Sequence, residues 1–175
     1  MLNFYIIGDI GNTDIKICVY KNKNIVKKIR LSTNKVDSKY LKKNLNVLRK
    51  YDKKLKQILF CSVVPNCYIK IKNYFKLYFN TNCNELKNLN LSKLLSIKVN
   101  RKQIGSDRLA NAISVIDNKN NYIVVDFGTA TNFDVISANS YNGGVIAPGI
   151  NLSLENLSKK AFLIPVSYTH LRAHE

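Results

Sequence analysis

The sequence has no tryptophan, two histidines and only 11 acidic residues among 175. Both histidines, His170 and His174, lie at the very end, so the body of the chain holds neither a Ser/His/Asp triad nor a histidine-based metal cluster. The four cysteines, Cys18, Cys61, Cys67 and Cys83, show no Cys-x-x-Cys spacing and no nearby histidine. They read as reduced core thiols of a cytoplasmic protein. Apolar runs such as residues 122–125 are far too short to span a bilayer. The opening Met1-Leu2-Asn3-Phe4 carries no basic leader and no small-residue cleavage site, so neither export nor a membrane partner is expected. No low-complexity linker divides the chain.

What the sequence does have is apolar content and positive charge. Apolar residues make up 46% of it, enough to build a core, which argues against disorder. Lys and Arg number 28, giving a formal charge of +17. Lys and Asn together exceed a quarter of the chain and are spread along most of its length. A nucleic-acid footprint clusters on one element, so this uniform enrichment reads as coding bias, and nucleic acid is not the expected partner. Pairs such as Lys42-Lys43 and Lys53-Lys54 read as solvated helix faces. The positive field favours anionic small molecules, nucleotides included.

Residues 4–9 form an apolar strand ending in a carboxylate, followed by the turn Gly11-Asn12-Thr13 and a strand in which Ile15, Ile17 and Val19 alternate. A third strand is expected over residues 25–31. Leu41, Leu45, Leu48 and Leu55 recur at helical spacing and predict a helix over about residues 37–54. A buried strand over 58–64 stops at Pro65, and Tyr68, Ile71, Phe75 and Tyr78 mark a helix face. Residues 107–116 read as a helix. The opening pattern then returns: a strand at 122–126 ends in Asp, Gly128-Thr129-Ala130 turns, and a strand resumes around Phe133 and Val135. Two strand-turn-strand units, each with helical segments, predict a duplicated α/β architecture with a boundary near residues 100–118.

The repeated device has a chemical reading. An Asp at the C-terminal end of a strand puts a carboxylate at the sheet rim, where α/β folds bind ligands. A Gly two residues later lets a ligand approach the backbone N–H groups, and Thr13 or Thr129 adds a hydroxyl. That set suits phosphate oxygens, with the carboxylate holding a hard cation directly or through water. Either copy alone is equally an ordinary hairpin turn; two copies in matching context favour the phosphate device. Gly143-Gly144-Val145-Ile146-Ala147-Pro148-Gly149 admits a ring or sugar against the backbone, or is a strand between turns. Gly105-Ser106-Asp107-Arg108 opens a helix, where Asp107 serves equally as a cap or as acceptor of a hydroxyl proton, and Arg108 can pair with a substrate carboxylate.

The ordered set Asp9-Ile10-Gly11-Asn12-Thr13, Ser62-Val63-Val64-Pro65, Gly105-Ser106-Asp107-Arg108 with Ala110-Asn111, Asp126-Phe127-Gly128-Thr129-Ala130 and Gly143 to Gly149 closely resembles the type III pantothenate kinases over about residues 4–165. These belong to the acetate and sugar kinase/Hsp70/actin superfamily. The resemblance implies duplicated actin-like (ribonuclease H-like) α/β domains, the first over 1–100 and the second, incomplete, over 101–165. It implies ATP-dependent phosphorylation of pantothenate, the first step of coenzyme A synthesis, with Mg2+ and K+ or NH4+, by a homodimer. Carried over, Asp9, Ile10, Gly11, Asn12, Thr13, Asp14, Ile15 and Lys16 form the first phosphate turn, with Asp9 toward the Mg-nucleotide. Gly105, Ser106, Asp107 and Arg108 bind pantothenate, with Asp107 as proton acceptor. Asp126 holds the monovalent cation, Thr129 contacts ATP, and Gly143, Gly144 and Gly149 flank the adenosine. Two positions depart from the family pattern: Asn132 replaces a usual threonine, and residues 98–103 lack a usual tyrosine and proline.

Family members normally continue further, with a substrate-contacting threonine, so the resemblance implies a C-terminally truncated chain that is a weak enzyme or none. Residues 166–175 hold both histidines and no Lys or Asn, resemble a translated sequencing adapter, and read as a non-native tail. The rival reading is a regulatory or nucleic-acid-binding protein on the same fold with a vestigial nucleotide site. Another sugar or acid kinase of the superfamily is a third.

Overall fold

The computed structural model describes residues 3–160; the segment read above as a tail, 166–175, lies outside them. The chain opens with three strands, β1 (Phe4–Ile10), β2 (Asp14–Lys21) and β3 (Asn24–Ser32), then α1 (Ser38–Leu45), β4 (Leu55–Ser62), α2 (Pro65–Phe79) and β5 (Cys83–Glu85). The first sheet runs in the order β3-β2-β1-β4-β5. Its first three strands are antiparallel neighbours, while β4 lies parallel to both β1 and β5. Alternation in β1 and β2 sends Ile6, Ile10, Ile15, Ile17 and Val19 to a fully buried face, where they meet Leu41, Leu45, Ile58, Phe60, Ile71 and Phe75. Pro65 takes the first turn of α2, where its missing N–H costs nothing.

The helix expected over 37–54 is shorter. Asp37 caps α1, its carboxylate accepting the Tyr40 N–H at 2.7 Å, but from Asn46 to Lys54 the chain tightens into 3-10 turns. Leu45, Leu48 and Tyr51 recur every third residue, and residues three apart eclipse in a 3-10 helix, so the core face is kept without α geometry. The strand expected over 58–64 ends earlier, at Ser62. There the Ser62 hydroxyl accepts the Val64 N–H at 3.2 Å and turns the chain out of the sheet.

The second half comprises β6 (Ser96–Ile97), α3 (Ser106–Val115), β7 (Asn121–Phe127), β8 (Ala130–Ser137), β9 (Ser140–Pro148) and α4 (Ile150–Lys160). Its sheet has the order β6-β9-β8-β7, and β7-β8-β9 repeats the antiparallel meander of β1-β2-β3. A second core gathers Leu86, Leu91, Leu95, Ile104, Leu109, Ala112, Ile136 and Tyr141. It recruits residues ahead of position 100, and β6 pairs there with β9. Helix α3 packs against β4, β7 and β8, so one helix touches both sheets and carries its N-terminus to the cleft between them.

Candidate active site

The two Asp-x-Gly turns are built on the same plan, the second one residue shorter. In the first, the Gly11 N–H donates to the Asp14 carbonyl at 3.0 Å; in the second, the Gly128 N–H donates to the Ala130 carbonyl at 3.0 Å. Asp9 faces Lys16 across the β1–β2 pair, and Asp126 faces Asn132 across β7–β8, so each carboxylate has a cross-strand polar neighbour on its own face. Thr33 braces the first turn: its hydroxyl donates to the Gly11 carbonyl at 2.8 Å and its N–H to the Thr13 carbonyl at 3.0 Å. Asp14 is engaged by Arg30, whose hydrogen bond holds the Asp14 carboxyl below its ordinary range.

Both Asp-bearing strand ends open on one cavity of about 320 Å3, whose lining includes Asp9, Lys16, Cys61, Asp107, Asn111 and Asp126. The spacing on α3 explains the convergence. Asp107, Ala110 and Asn111 share one helical face and line the cavity, whereas Arg108, Leu109 and Ala112 turn inward and are buried. The Asn111 amide donates to Asp126 Oδ2 at 3.0 Å and so ties the helix to the second sheet's carboxylate. Gly105 makes room for the Asp107 side chain, since a Cβ there would overlap its Oδ1. The Ser106 hydroxyl, buried, donates to Glu85 at the end of β5. The 62–65 segment holds the other flank, with the Val63 N–H donating to the Ile10 carbonyl at 3.1 Å.

Burial pushes the Asp9 carboxyl above its ordinary 3.8; Lys16 opposes this, and the charges of Asp107 and Asp126 add to it. A carboxyl raised on folding stabilises nothing by being charged. Its cost is absent below 3.8, develops between the unfolded and folded values, and stays in full above them. Asp9→Asn should therefore raise the melting temperature by a few degrees at pH 7, with the gain vanishing in acid. Thermal unfolding from pH 3 to pH 8 checks this, and a gain at pH 7 that persists unchanged at pH 3 would contradict it.

Several residues sit differently from the sequence reading. Cys67 and Cys83 are buried, but Cys18 and Cys61 are half-buried and line the cavity, Cys61 also packing against the second core. Burial, then the charges of Asp9 and Glu85, push the Cys61 thiol up to about 11, so it is protonated at neutral pH. Arg108 is turned away from the cavity: its Nε donates to Asp134 Oδ1 at 2.8 Å. The turn residues Asn12, Thr13 and Thr129 are exposed at the rim, outside the cavity lining. Gly143, Gly144 and Gly149 lie on or just after β9, close against the chain itself. A Cβ on Gly149 would stand 2.5 Å from the carbonyl oxygens of Gly128 and Thr129, so that glycine lets the end of β9 close on the second turn. Sequence reasoning missed Glu85, Asp134 and Tyr141 as partners, and Asn111 as the one that holds Asp126.

The sequence profile of the type III pantothenate kinases matches residues 5–174. The chain belongs to that family. It is 55% identical over 161 residues to the type III pantothenate kinase of Pelagibacter ubique, covering 91% of this chain and 65% of that protein. With the type III pantothenate kinase of Roseobacter denitrificans it shares 33% identity over 164 residues, covering 90% and 64%. The chain thus spans just under two thirds of these relatives' length. Among solved structures, a Campylobacter jejuni protein assigned to the Baf family of transcriptional activators superposes with a TM-score of 0.53 at 20% identity, covering 97% of this chain and 67% of that one. The type II variant of the Aquifex aeolicus Ppx/GppA phosphatase gives 0.50 at 14%, covering 93% and 56%. At these identities the likeness shows fold alone, and the actin-like α/β architecture expected from the sequence is borne out.

Proposed function

We propose that this chain carries the nucleotide and acceptor sites of an ATP-dependent kinase that phosphorylates pantothenate, the first step of coenzyme A synthesis. One observation carries the reading: Asp9, Lys16, Asp107 and Asp126, drawn from both sheets and the helix between them, line a single cavity. In the reaction the acceptor's primary hydroxyl oxygen bonds to the γ-phosphorus while the bond to the β-phosphate bridging oxygen breaks, releasing ADP. The hydroxyl proton passes to an Asp107 carboxylate oxygen. Such a transition state is loose, so most of the catalysis lies in alignment and in neutralising phosphate charge. Lys16 in the cavity and the turn amides not already spent on internal carbonyls supply positive character where a triphosphate would lie.

The donor set fits metal ions of a particular kind. Among the described residues no three His, Cys, Asp or Glu side chains are grouped closely enough to cage an ion. A magnesium ion carried by the nucleotide, held by Asp9 directly or through water, suits that arrangement and would neutralise phosphate charge. Asp126, whose Oδ2 accepts the Asn111 amide N–H and which faces Asn132 across β7–β8, offers a single carboxylate, which suits a weakly hydrated K+ or NH4+ better than a divalent cage. Asp126→Ala should abolish stimulation by potassium in a titration at fixed magnesium. Stimulation that survives the change would place the ion elsewhere.

Within this reading the enzyme works as a cytoplasmic homodimer. Four free cysteines among the described residues and an exposed apolar face on β7, β8 and β9, including Ile123, Phe127 and Val145, support it. No helix among the described residues is long and apolar enough to cross a membrane. The deciding assay offers ATP and a panel of hydroxyl acceptors to this chain and to a version extended with the last third of the Pelagibacter ubique relative. Pantothenate as the preferred acceptor supports the reading, and transfer to a sugar or other acid in its place overturns it. The +17 charge favours a second reading, a nucleic-acid-binding regulator; salt-dependent binding to random duplex DNA without phosphoryl transfer would support that one.

A further inference from the structure

Behind the Asp107 face of α3 lies a polar group that the reaction does not use. Arg108, Asp134 and Tyr141 are 9%, 0% and 1% exposed, beside the apolar second core. Asp134 Oδ1 accepts the Arg108 Nε at 2.8 Å and the Tyr141 hydroxyl at 2.5 Å, with the Arg108 terminal nitrogen 2.6 Å away. We propose that Asp134 and Tyr141 are positioning residues of the acceptor site, clamping Arg108 as a buried strut that fixes the first turn of α3 and with it Asp107. This assignment rests on the kinase reading for Asp107's role.

Three observations carry the strut. First, the Arg108 N–H donates to Asp107 Oδ1 at 2.8 Å, so any shift of residue 108 is passed to the proton-accepting carboxylate. Second, Gly144 stands opposite Asp134 in the β8–β9 register, and a Cβ on it would lie 2.0 Å from the Phe133 carbonyl oxygen, 2.7 Å from the Arg108 terminal nitrogen and 2.8 Å from Asp134 Oδ1. The glycine thus accommodates both the neighbouring strand's backbone and the ion pair, a use of the 143–149 stretch unrelated to adenosine. Third, swinging the guanidinium out to a substrate carboxylate would abandon a fully buried Asp134 charge, which has no other cation beside it among the described residues. Buried ion pairs contribute little to net stability compared with apolar replacements, so one placed directly behind the acceptor residue is better explained by orientation.

The test uses two mild variants, Tyr141→Phe and Arg108→Lys, and two acceptors, pantothenate and its carboxylate-free analogue pantothenyl alcohol. The expected result is a fall in kcat of about tenfold or more, by the same factor for both acceptors, with KM for ATP unchanged. Amide hydrogen exchange at residues 107–110 should quicken while β7, β8 and β9 keep their protection. Arg108→Lys that harms pantothenate but spares the alcohol would overturn the proposal in favour of direct carboxylate pairing. So would wild-type exchange at 107–110 in Tyr141→Phe, or exchange quickened equally across the second sheet. If neither the unsubstituted chain nor its extended version phosphorylates either acceptor, the kinase reading falls, and the exchange comparison still decides the strut.

Discussion

Asp107→Asn is expected to lower turnover with pantothenate by about 10²-fold or more, the usual scale for a general acid–base group. Asparagine keeps the size of the side chain and an Oδ1 able to accept the Arg108 N–H now held at 2.8 Å, so the first turn of α3 should survive. What it loses is the ability to take the hydroxyl proton. Since alignment supplies much of the catalysis, activity should fall and not vanish. Nucleotide affinity should hold, because the phosphate turns lie at the ends of β1 and β7 and not on the helix. Steady-state turnover together with calorimetric titration of ATP, on the extended version described above, measures both. Turnover equal to wild type would remove Asp107 from the reaction.

Asp134→Ala should cost about 3–5 kcal/mol of stability, the range for breaking a buried pair from one side. The loss is large because the Arg108 guanidinium would stay buried without its counter-charge. Burial opposes its charge, and the Asp134 hydrogen bond and charge outweigh that burial and hold the guanidinium pKa above its ordinary value. Native stability is typically about 5–15 kcal/mol, so the variant should unfold at much lower urea. Arg108→Met in the same chain should recover most of the loss, since replacing both members of a buried pair by apolar groups is often near neutral. Urea unfolding of the two single variants and the double variant closes the cycle. A double variant as unstable as Asp134→Ala alone would show that the pair's charge is not the cause.

The sequence by itself determined the place of β1 to β4, β7 and β8, the two turns and the carboxylates beside them. The three- and two-residue strands β5 and β6 carry no pattern long enough to show. Alternation at Ile15, Ile17 and Val19, and the Asp-x-Gly spacing at 9–11 and 126–128, depend on side-chain period and backbone freedom, which are local properties of the chain. Leu41, Leu45 and Leu48 predicted one long helix, but the same residues face the core in α or 3-10 geometry, and the chain takes the tighter form from Asn46 onward. Only the tertiary structure decided that Arg108 meets Asp134, 26 residues away, that Asn111 meets Asp126, 15 away, and that Ser106 meets Glu85, 21 away. Only it showed that Gly144 leaves space for the Phe133 carbonyl and an ion pair, and that Cys18 and Cys61 face the cavity. A side chain's partner depends on which face of α3 is buried and how the two sheets stand against it. Those are set by the sum of core contacts and are not written in the residue types at any one position.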